Sequence, residues 1–217
     1  MEDLLRPVPE EPGDRRSGVE SAVVPSHPHG SHEPPGTNGG HRDRIIDATL
    51  DCLVTHGVAG TSMRMVAEGA HVSLGSVTHH FVDKDALLSA AFQVFADRSV
   101  ARFREYYEGV DSLESARRAT VHMLTDSAAS RRGTILGSEL YTLSLRRPRH
   151  RMVLVQWTHR CRKVIREHFD AETTYLLDAF YEGVLLHRSM HLGEYPDESI
   201  ALAVQRLTPP ASYLDRG

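Results

Sequence analysis

The chain has 217 residues, of which 40% are hydrophobic and 25% charged, a composition typical of a globular protein with a sizeable core. Two cysteines cannot make a disulfide framework, and a formal net charge of −4 gives no overall attraction to nucleic acid. The sequence also lacks a membrane-spanning apolar run and a signal peptide. We therefore expect a cytoplasmic protein without membrane association, and a case for DNA binding must come from a motif.

Residues 1–41 differ in composition from the rest of the chain. They hold seven of the eleven prolines and six glycines but no aromatic residue. So few bulky apolar side chains cannot offset the entropy of ordering the segment, and we predict a disordered tail. Its histidines His27, His29 and His32 could chelate a metal ion loosely, but a polar, turn-rich tail is the simpler interpretation.

From Arg42 onward, apolar residues recur at helical spacing without any sustained alternation of period two. This pattern predicts an all-α fold. Around residues 176–190 the apolar side chains cover more than one face of a helix, which is typical of packing against both the core and a partner subunit. We expect Val184→Asp in this helix to give monomers with weak affinity for DNA.

The segment Thr61–Lys84 predicts two short helices joined by a tight turn, followed by the start of a third helix. Each helix has a capping residue at its start: Thr61 or Ser62, then Ser73, then Asp83. Val77 and Phe81 face the core, so small polar residues of the second helix face outward. This arrangement is a helix-turn-helix, whose second helix enters the major groove of DNA.

An ordered series of residues carries a more specific signal: Arg44-Ile45-Ile46-Asp47-Ala48, Gly57, Thr61-Ser62-Met63-Arg64, Val66-Ala67, Val72-Ser73, Gly75-Ser76, His80-Phe81 and Lys84-Asp85-Ala86-Leu87. The series resembles the TetR (tetracycline-repressor-like) family of transcriptional regulators. The resemblance implies a helix-turn-helix domain over 42–88 and a helical regulatory and dimerisation domain over 89–210. It also implies a homodimeric repressor that leaves double-stranded operator DNA on binding a small-molecule effector, with helices near 172–191 and 197–207 forming the dimer interface.

Within the predicted DNA domain, five residues are assigned mainly to phosphates: Ser62, Ser73, Ser76, His80 and Lys84. Five others are candidates for base edges or close approach to the groove: Arg64, Leu74, Gly75, Thr78 and His79. Two positions depart from the family pattern. His71 stands in the turn where glycine is usual, in a conformation that histidine tolerates. Thr78 replaces an aromatic residue and suggests a distinct operator preference.

The predicted DNA domain carries four basic and six acidic side chains, a poor balance for approaching phosphates. We therefore predict that His79 and His80 take up protons when DNA binds, so that affinity falls as pH rises. The alternative is that both imidazoles donate hydrogen bonds in their neutral form and no proton is exchanged.

Other signals leave two interpretations open. Five large side chains could line a ligand cavity or belong to the plain core: Phe103, Met123, Tyr141, Trp157 and Phe180. His187 and His191 have the spacing of a metal site without a third ligand, so no metal or cofactor is predicted. The basic run 146–151 could bind nucleic acid or simply connect two helices around Pro148. No catalytic motif indicates an enzyme, while a helical interaction protein or an activator remains the alternative function.

Overall fold

The computed structural model describes residues 38–193 and 195–214. Within these residues the chain forms α-helices, one short 3-10 helix and an isolated bridge between Phe169 and Tyr213, with no strand. The prediction of an all-α fold is confirmed. The helices are α1 (Asn38–Gly60), α2 (Met63–Gly69), α3 (Leu74–His80), α4 (Lys84–Tyr106), α5 (Leu113–Ala129), α6 (Arg131–Arg146), α7 (Pro148–Ile165), α8 (Ala171–Ser189), α9 (Asp197–Leu207) and η1 (Pro210–Ser212).

Helix α1 begins at Asn38. The last four residues of the tail that was predicted over 1–41 are therefore helical. The remainder of that tail, residues 1–37 with its three histidines, lies outside the described residues. No helix in the part of the chain that the structure describes is long and apolar enough to cross a membrane.

Helix α4 is the longest connection between the predicted domains. It packs against α1 and against α7, which belongs to the predicted regulatory domain, and it runs unbroken through the predicted boundary at residue 88. Two fully buried side chains, Leu88 and Phe92, lie on either side of that boundary in one continuous core. The two predicted domains, 42–88 and 89–210, therefore share helix α4. The boundary between them at residue 88 stays a prediction.

The structure corrects the prediction made for Val184 in helix α8. Val184 is 2% exposed within a single chain and packs in the protomer's own core. An aspartate there would bury an unpaired charge and destabilise the fold itself, so Val184→Asp would not report on dimerisation. Tyr175 and Leu176, more than two turns earlier in the same helix, are exposed instead.

A break in α1 positions the start of the helix-turn-helix. Gly57 has φ 64° and ψ 177°, a conformation that is essentially restricted to glycine. Just after the break, the Val58 N–H donates to Glu139 Oε2 at 3.0 Å, and the Val58 carbonyl accepts from Lys84 Nζ at 2.7 Å. Side chains of α6 and α4 thus satisfy both backbone groups of one residue at the end of α1.

We expect Gly57→Ala to lower the free energy of unfolding by about 1–3 kcal/mol, because alanine must adopt a left-handed conformation. Its Cβ would also lie 2.8 Å from Glu139 Oε1. Urea unfolding measures the change, with Gly40→Ala in the same helix as control, since a Cβ at Gly40 meets nothing within 4 Å. Equal stability of the two variants would contradict this account of the break.

Candidate nucleic-acid interface and ligand cavity

Helices α2 and α3 form a helix-turn-helix with the predicted capping pattern. Ser62 Oγ accepts from Met65 N at 3.2 Å, and Ser73 Oγ accepts from Ser76 N at 3.0 Å. The turn between the helices contains His71 with φ 54°, a left-handed conformation that histidine adopts more readily than most residues. The turn is closed by the His71 N–H, which donates to the Glu68 carbonyl at 3.1 Å.

The apolar face of α3 fixes which side chains point outward. Val77 is fully buried and Phe81, the cap at its C-terminal end, is 4% exposed. The opposite face presents the residues predicted for the groove: Leu74, Gly75, Thr78 and His79 are exposed, while Ser76 and His80 are half-buried. Thr78 Oγ1 donates within the helix to the carbonyls of Leu74 and Gly75 at 3.2 and 3.1 Å.

The predicted phosphate contacts have different surroundings. Ser62 and Ser73 are exposed at helix starts, and Arg64 extends from α2 into solvent. Lys84 also has a partner within the chain, because its ammonium binds the Val58 carbonyl. Burial, and then the nearby charge of Arg147, lower the pKa of Lys84. Lys84 therefore has a role in joining α4 to α1 that its position in the motif did not reveal.

The histidines of α3 lie at the edge of this surface. The rings of His79 and His80 pack edge to face, with 5.4 Å between their centroids. Burial, followed by the charges of His79, His41 and Arg42, lowers the pKa of His80. Free His80 is therefore mostly neutral at neutral pH, and a phosphate beside it would favour its charged form.

A cavity of about 1040 Å³ lies among helices α1, α4, α5, α6, α7 and α8. Its wall contains five aromatic side chains: Phe95, Phe103, Tyr141, Trp157 and Tyr181. Three of the five residues predicted for a ligand cavity are among them. Of the other two, Met123 is fully buried in the core, whereas Phe180 lines a separate groove with residues of α9.

One carboxyl group stands within the aromatic part of the cavity wall. Glu182 Oε1 accepts a hydrogen bond from the Tyr141 hydroxyl at 2.7 Å. The neighbouring Asp178 is paired with Arg162 at 2.6 Å, and Glu182 has no ion pair among the described residues. Burial raises the pKa of Glu182 because the charged form loses hydration, and this effect exceeds the opposing effects of the Tyr141 hydrogen bond and the Arg162 charge.

The wall nearest α1 is cationic, and its arginines are paired. Arg98 binds Asp47 at 2.8 Å and Arg132 binds Asp51 at 2.6 Å. Both acids belong to α1, which contributes Leu50 to the same wall. Residues that line the cavity therefore contact the first helix of the predicted DNA domain directly.

The chain is similar to known proteins in sequence and in fold. The family model described as "Bacterial regulatory proteins, tetR family" matches residues 45–91. SCO1917 from Streptomyces coelicolor A3, a TetR-family member of known structure, is 31% identical and aligns with a TM-score of 0.69, covering 78% of this chain and 98% of that one. The chain belongs to the TetR family. Its relatives are transcriptional regulators, so the prediction that this TetR-family chain is not an enzyme is confirmed.

Two further relatives of this TetR-family chain differ in how much of it they match. The multidrug binding protein EbrR, solved with imidazole, is 31% identical over 84% of this chain and 97% of that one, with a TM-score of 0.68. The ethidium complex of EbrR is 29% identical to this chain and aligns with a TM-score of 0.65, covering 81% of this chain and 99% of that one. UidR of Escherichia coli strain K12, a helix-turn-helix-type transcriptional regulator, is 30% identical over 107 residues, 49% of this chain and 53% of its own length. The chain thus spans about half the length of that curated relative.

Sequence patterns in this TetR-family member missed much of the cavity. Phe95, Tyr181 and Glu182 were absent from the predicted set, as were the arginines near α1. The available signal was the pair of acidic residues, Asp178 and Glu182, within the mostly apolar stretch that follows Leu176, where charges are out of place. The metal alternative gains no support, because His187 Nδ1 bonds to the Tyr195 hydroxyl at 2.7 Å and the described residues contain no group of three metal-ligating side chains.

Proposed function

We propose that the chain acts in the cytoplasm as a homodimeric repressor that leaves operator DNA when an aromatic cation enters the cavity. The single observation that carries this proposal is a large aromatic cavity whose wall reaches α1. The exposed face of α3 supports DNA reading, with Leu74, Gly75, Thr78 and His79 toward the groove and Arg64 beside them. The predicted phosphate contacts lie at helix ends: Ser62 and Ser73 cap the starts of α2 and α3, Ser76 follows in the first turn of α3, His80 ends α3 and Lys84 begins α4.

The outer surface of α8 and α9 supports a dimer. Tyr175 is 55% exposed and Leu176 and Leu202 are 47% exposed, although apolar side chains of this size usually pack against something. Phe180 and Leu202 line one shallow groove between the two helices. A second copy of the chain would cover this face, which belongs to the two helices expected at the dimer interface from the family resemblance.

The chemistry of the cavity favours an aromatic cation as effector. Phe95, Trp157 and Tyr181 line the cavity with aromatic rings, and aromatic rings bind flat aromatic molecules and cations favourably. Glu182 supplies a carboxyl group that forms no ion pair among the described residues. EbrR is described as a multidrug binding protein and was solved with ethidium, which is itself a planar aromatic cation. The same ligand class suits the cavity of this chain.

Release would follow from the position of the cavity beside α1. Arg98 and Arg132 bridge the cavity wall to Asp47 and Asp51, so a ligand that moves α4 or α6 changes contacts with α1. A ligand shifts the protein toward the arrangement that it binds more tightly, and the coupling to DNA is reciprocal. Ethidium should therefore weaken operator binding, and operator should weaken ethidium binding by the same factor.

Ethidium fluorescence tests this proposal, titrated with and without a DNA fragment from upstream of the chain's own gene. We expect saturable binding and a reciprocal loss of affinity of about 5-fold to 150-fold, the usual range of such couplings. Tight ethidium binding with identical affinities in both titrations would show that the cavity does not control DNA binding.

The histidine prediction gains a direction from the structure. The pKa of His80 is lowered in the free protein, and a bound phosphate would raise it again, so complex formation takes up protons. Operator affinity should be constant below the free-state pKa and fall as pH rises toward the bound-state pKa. Above the bound-state pKa it should level off, because neither form then holds the proton.

Operator affinity measured from about pH 5.5 to about pH 8 at fixed salt checks this dependence, since the unperturbed pKa of histidine is about 6.5. The control is the double variant His79→Gln/His80→Gln, which should give a flat profile. A profile equally steep in the double variant, or flat in the unmodified protein, would favour neutral N–H donation by both imidazoles.

A further inference from the structure

The basic run 146–151 lies against the first turn of α4. Helix α6 ends at Arg146 and α7 begins at Pro148, a position where proline is well accommodated because no N–H is needed. Across this short connection, Arg147 Nη1 donates to Asp85 Oδ1 at 2.7 Å, and Arg149 pairs with the other oxygen of the same carboxylate.

The carboxylate at the centre of these contacts is largely shielded from solvent. The Asp85 side chain is 14% exposed, and the adjacent His150 is fully buried with its Nε2 3.5 Å from Asp85 Oδ1. His150 Nδ1 bonds to the hydroxyl of Ser89, one turn further along α4, at 3.1 Å. The Arg147 and Arg149 side chains are 56% and 54% exposed, and an ion pair between exposed side chains contributes little. The Asp85 carboxylate between them is shielded, so removing both guanidiniums leaves it without an ion pair.

Not all of the basic run takes part. Arg146 and Arg151 are exposed and form no ion pair among the described residues. The alternate residues Arg147 and Arg149 are the ones committed to Asp85. A phosphate-binding patch alone does not explain why Arg147 and Arg149 pair with Asp85 while Arg146 and Arg151 do not.

The contact joins two helices that both reach the cavity. Helix α4 continues from Asp85 to Phe95 and Arg98 in the cavity wall, and α7 continues from Arg149 to Trp157. On the other side, α4 follows α3 after three residues. The same turn of α4 holds α1 through Lys84. The first turn of α4 is thus where helices of the cavity meet the DNA-reading helices.

We propose that Arg147 and Arg149 form a clamp on Asp85, beside the buried His150, that positions the first turn of α4 and carries the state of the cavity to the DNA-reading helices. The clamp gives the basic run a function other than nucleic-acid binding. This inference rests on the proposed function, because it concerns how operator binding is regulated. The clamp is a contiguous physical contact whose two partners can be altered separately.

The two explanations of the basic run predict different effects on operator affinity when the arginine and aspartate variants are compared. If Arg147 and Arg149 contact phosphates, their removal weakens operator binding, while Asp85→Asn removes a repulsive charge and strengthens it. If they form a clamp, Arg147→Ala/Arg149→Ala and Asp85→Asn break the same contact. Both variants then change operator affinity in the same direction, and the triple variant changes it no further than either one alone.

The experiment measures operator affinity at fixed salt for these three variants, with Arg146→Ala/Arg151→Ala as the matched control of equal charge. We expect a change of about 3-fold to 10-fold in the clamp variants and less than about 2-fold in the control, in line with couplings between residues in contact. The ethidium-induced loss of operator affinity should shrink at least about 3-fold in the clamp variants. Opposite signs for the arginine and aspartate variants, or an equal effect in the control, would overturn the clamp.

Hydrogen exchange of the free protein separates a failed clamp from a failed proposed function. The amides of the first two turns of α4 should exchange at least about 3-fold faster in Arg147→Ala/Arg149→Ala and in Asp85→Asn, and at the unmodified rate in the control, because local opening reports the contacts that hold a segment. This result stands even if the protein binds neither ethidium nor the chosen DNA. Unchanged exchange in the clamp variants would overturn the inference.

Discussion

Replacing Leu176 and Leu202 together by glutamate should convert the proposed dimer into monomers and weaken operator binding at least about 100-fold, because two linked half-site contacts exceed one by that order. Both side chains are exposed on the outer face of α8 and α9. Each glutamate would place a charge in the apolar centre of the proposed interface without entering the protomer's own core. Sedimentation gives the oligomeric state, and gel shift gives the affinity.

The matched control for this prediction is Met152→Glu on α7. Met152 is 62% exposed and apolar, but it lies outside the proposed dimer surface. It should leave both mass and operator affinity unchanged. Circular dichroism confirms folding of all variants. A Leu176→Glu/Leu202→Glu protein that remains dimeric and binds operator normally would place the interface elsewhere.

Replacing Glu182 by glutamine should lower ethidium affinity about 10-fold to 100-fold, because a charge-assisted interaction in a partly desolvated site contributes about 1.5–3 kcal/mol. Glutamine keeps the size of the side chain and can still accept from the Tyr141 hydroxyl, so the change isolates the charge. Fluorescence titration measures the loss. Glu105→Gln provides the control, because Glu105 also lines the cavity but is exposed to solvent.

The pH dependence of ethidium binding offers a second measure of the same group. Burial raises the pKa of Glu182, so the carboxylate is lost at a higher pH than that of an exposed glutamate. Affinity for the cation should be full above this pKa and decline as pH falls through it. The decline should be absent in Glu182→Gln. Equal ethidium affinity in the two glutamine variants would mean that Glu182 does not recognise the cation.

The parts of this protein that sequence could predict are those determined locally. Ser73 caps α3 and Asp83 caps α4 through hydrogen bonds that span only three residues. Such motifs can be recognised from residues that are close together in the sequence. The buried face of α3 follows equally from the spacing of Val77 and Phe81. A helix-turn-helix is recognisable for the same reason.

The parts that sequence could not predict depend on contacts between distant helices. Glu182 meets Tyr141 across 41 positions and Lys84 meets Val58 across 26, and no local period marks such pairs. The same limit explains Val184, since apolar spacing shows that a helix has two buried faces without showing which one faces the protomer's own core. Phe180 and Tyr181, adjacent in sequence, point to different pockets for this reason.

The break at Gly57 also bears on how this regulator could be recombined with others. Residues 38–88 taken alone would leave the Val58 N–H without Glu139 and Asp85 without its arginines. A chimera that grafts this DNA-reading segment onto a foreign sensor would have to bring an acceptor at the position of Glu139 and guanidiniums at those of Arg147 and Arg149. The exchangeable unit is therefore a discontinuous one, made of the first three helices, the start of α4 and a few side chains encoded more than fifty residues further along the chain.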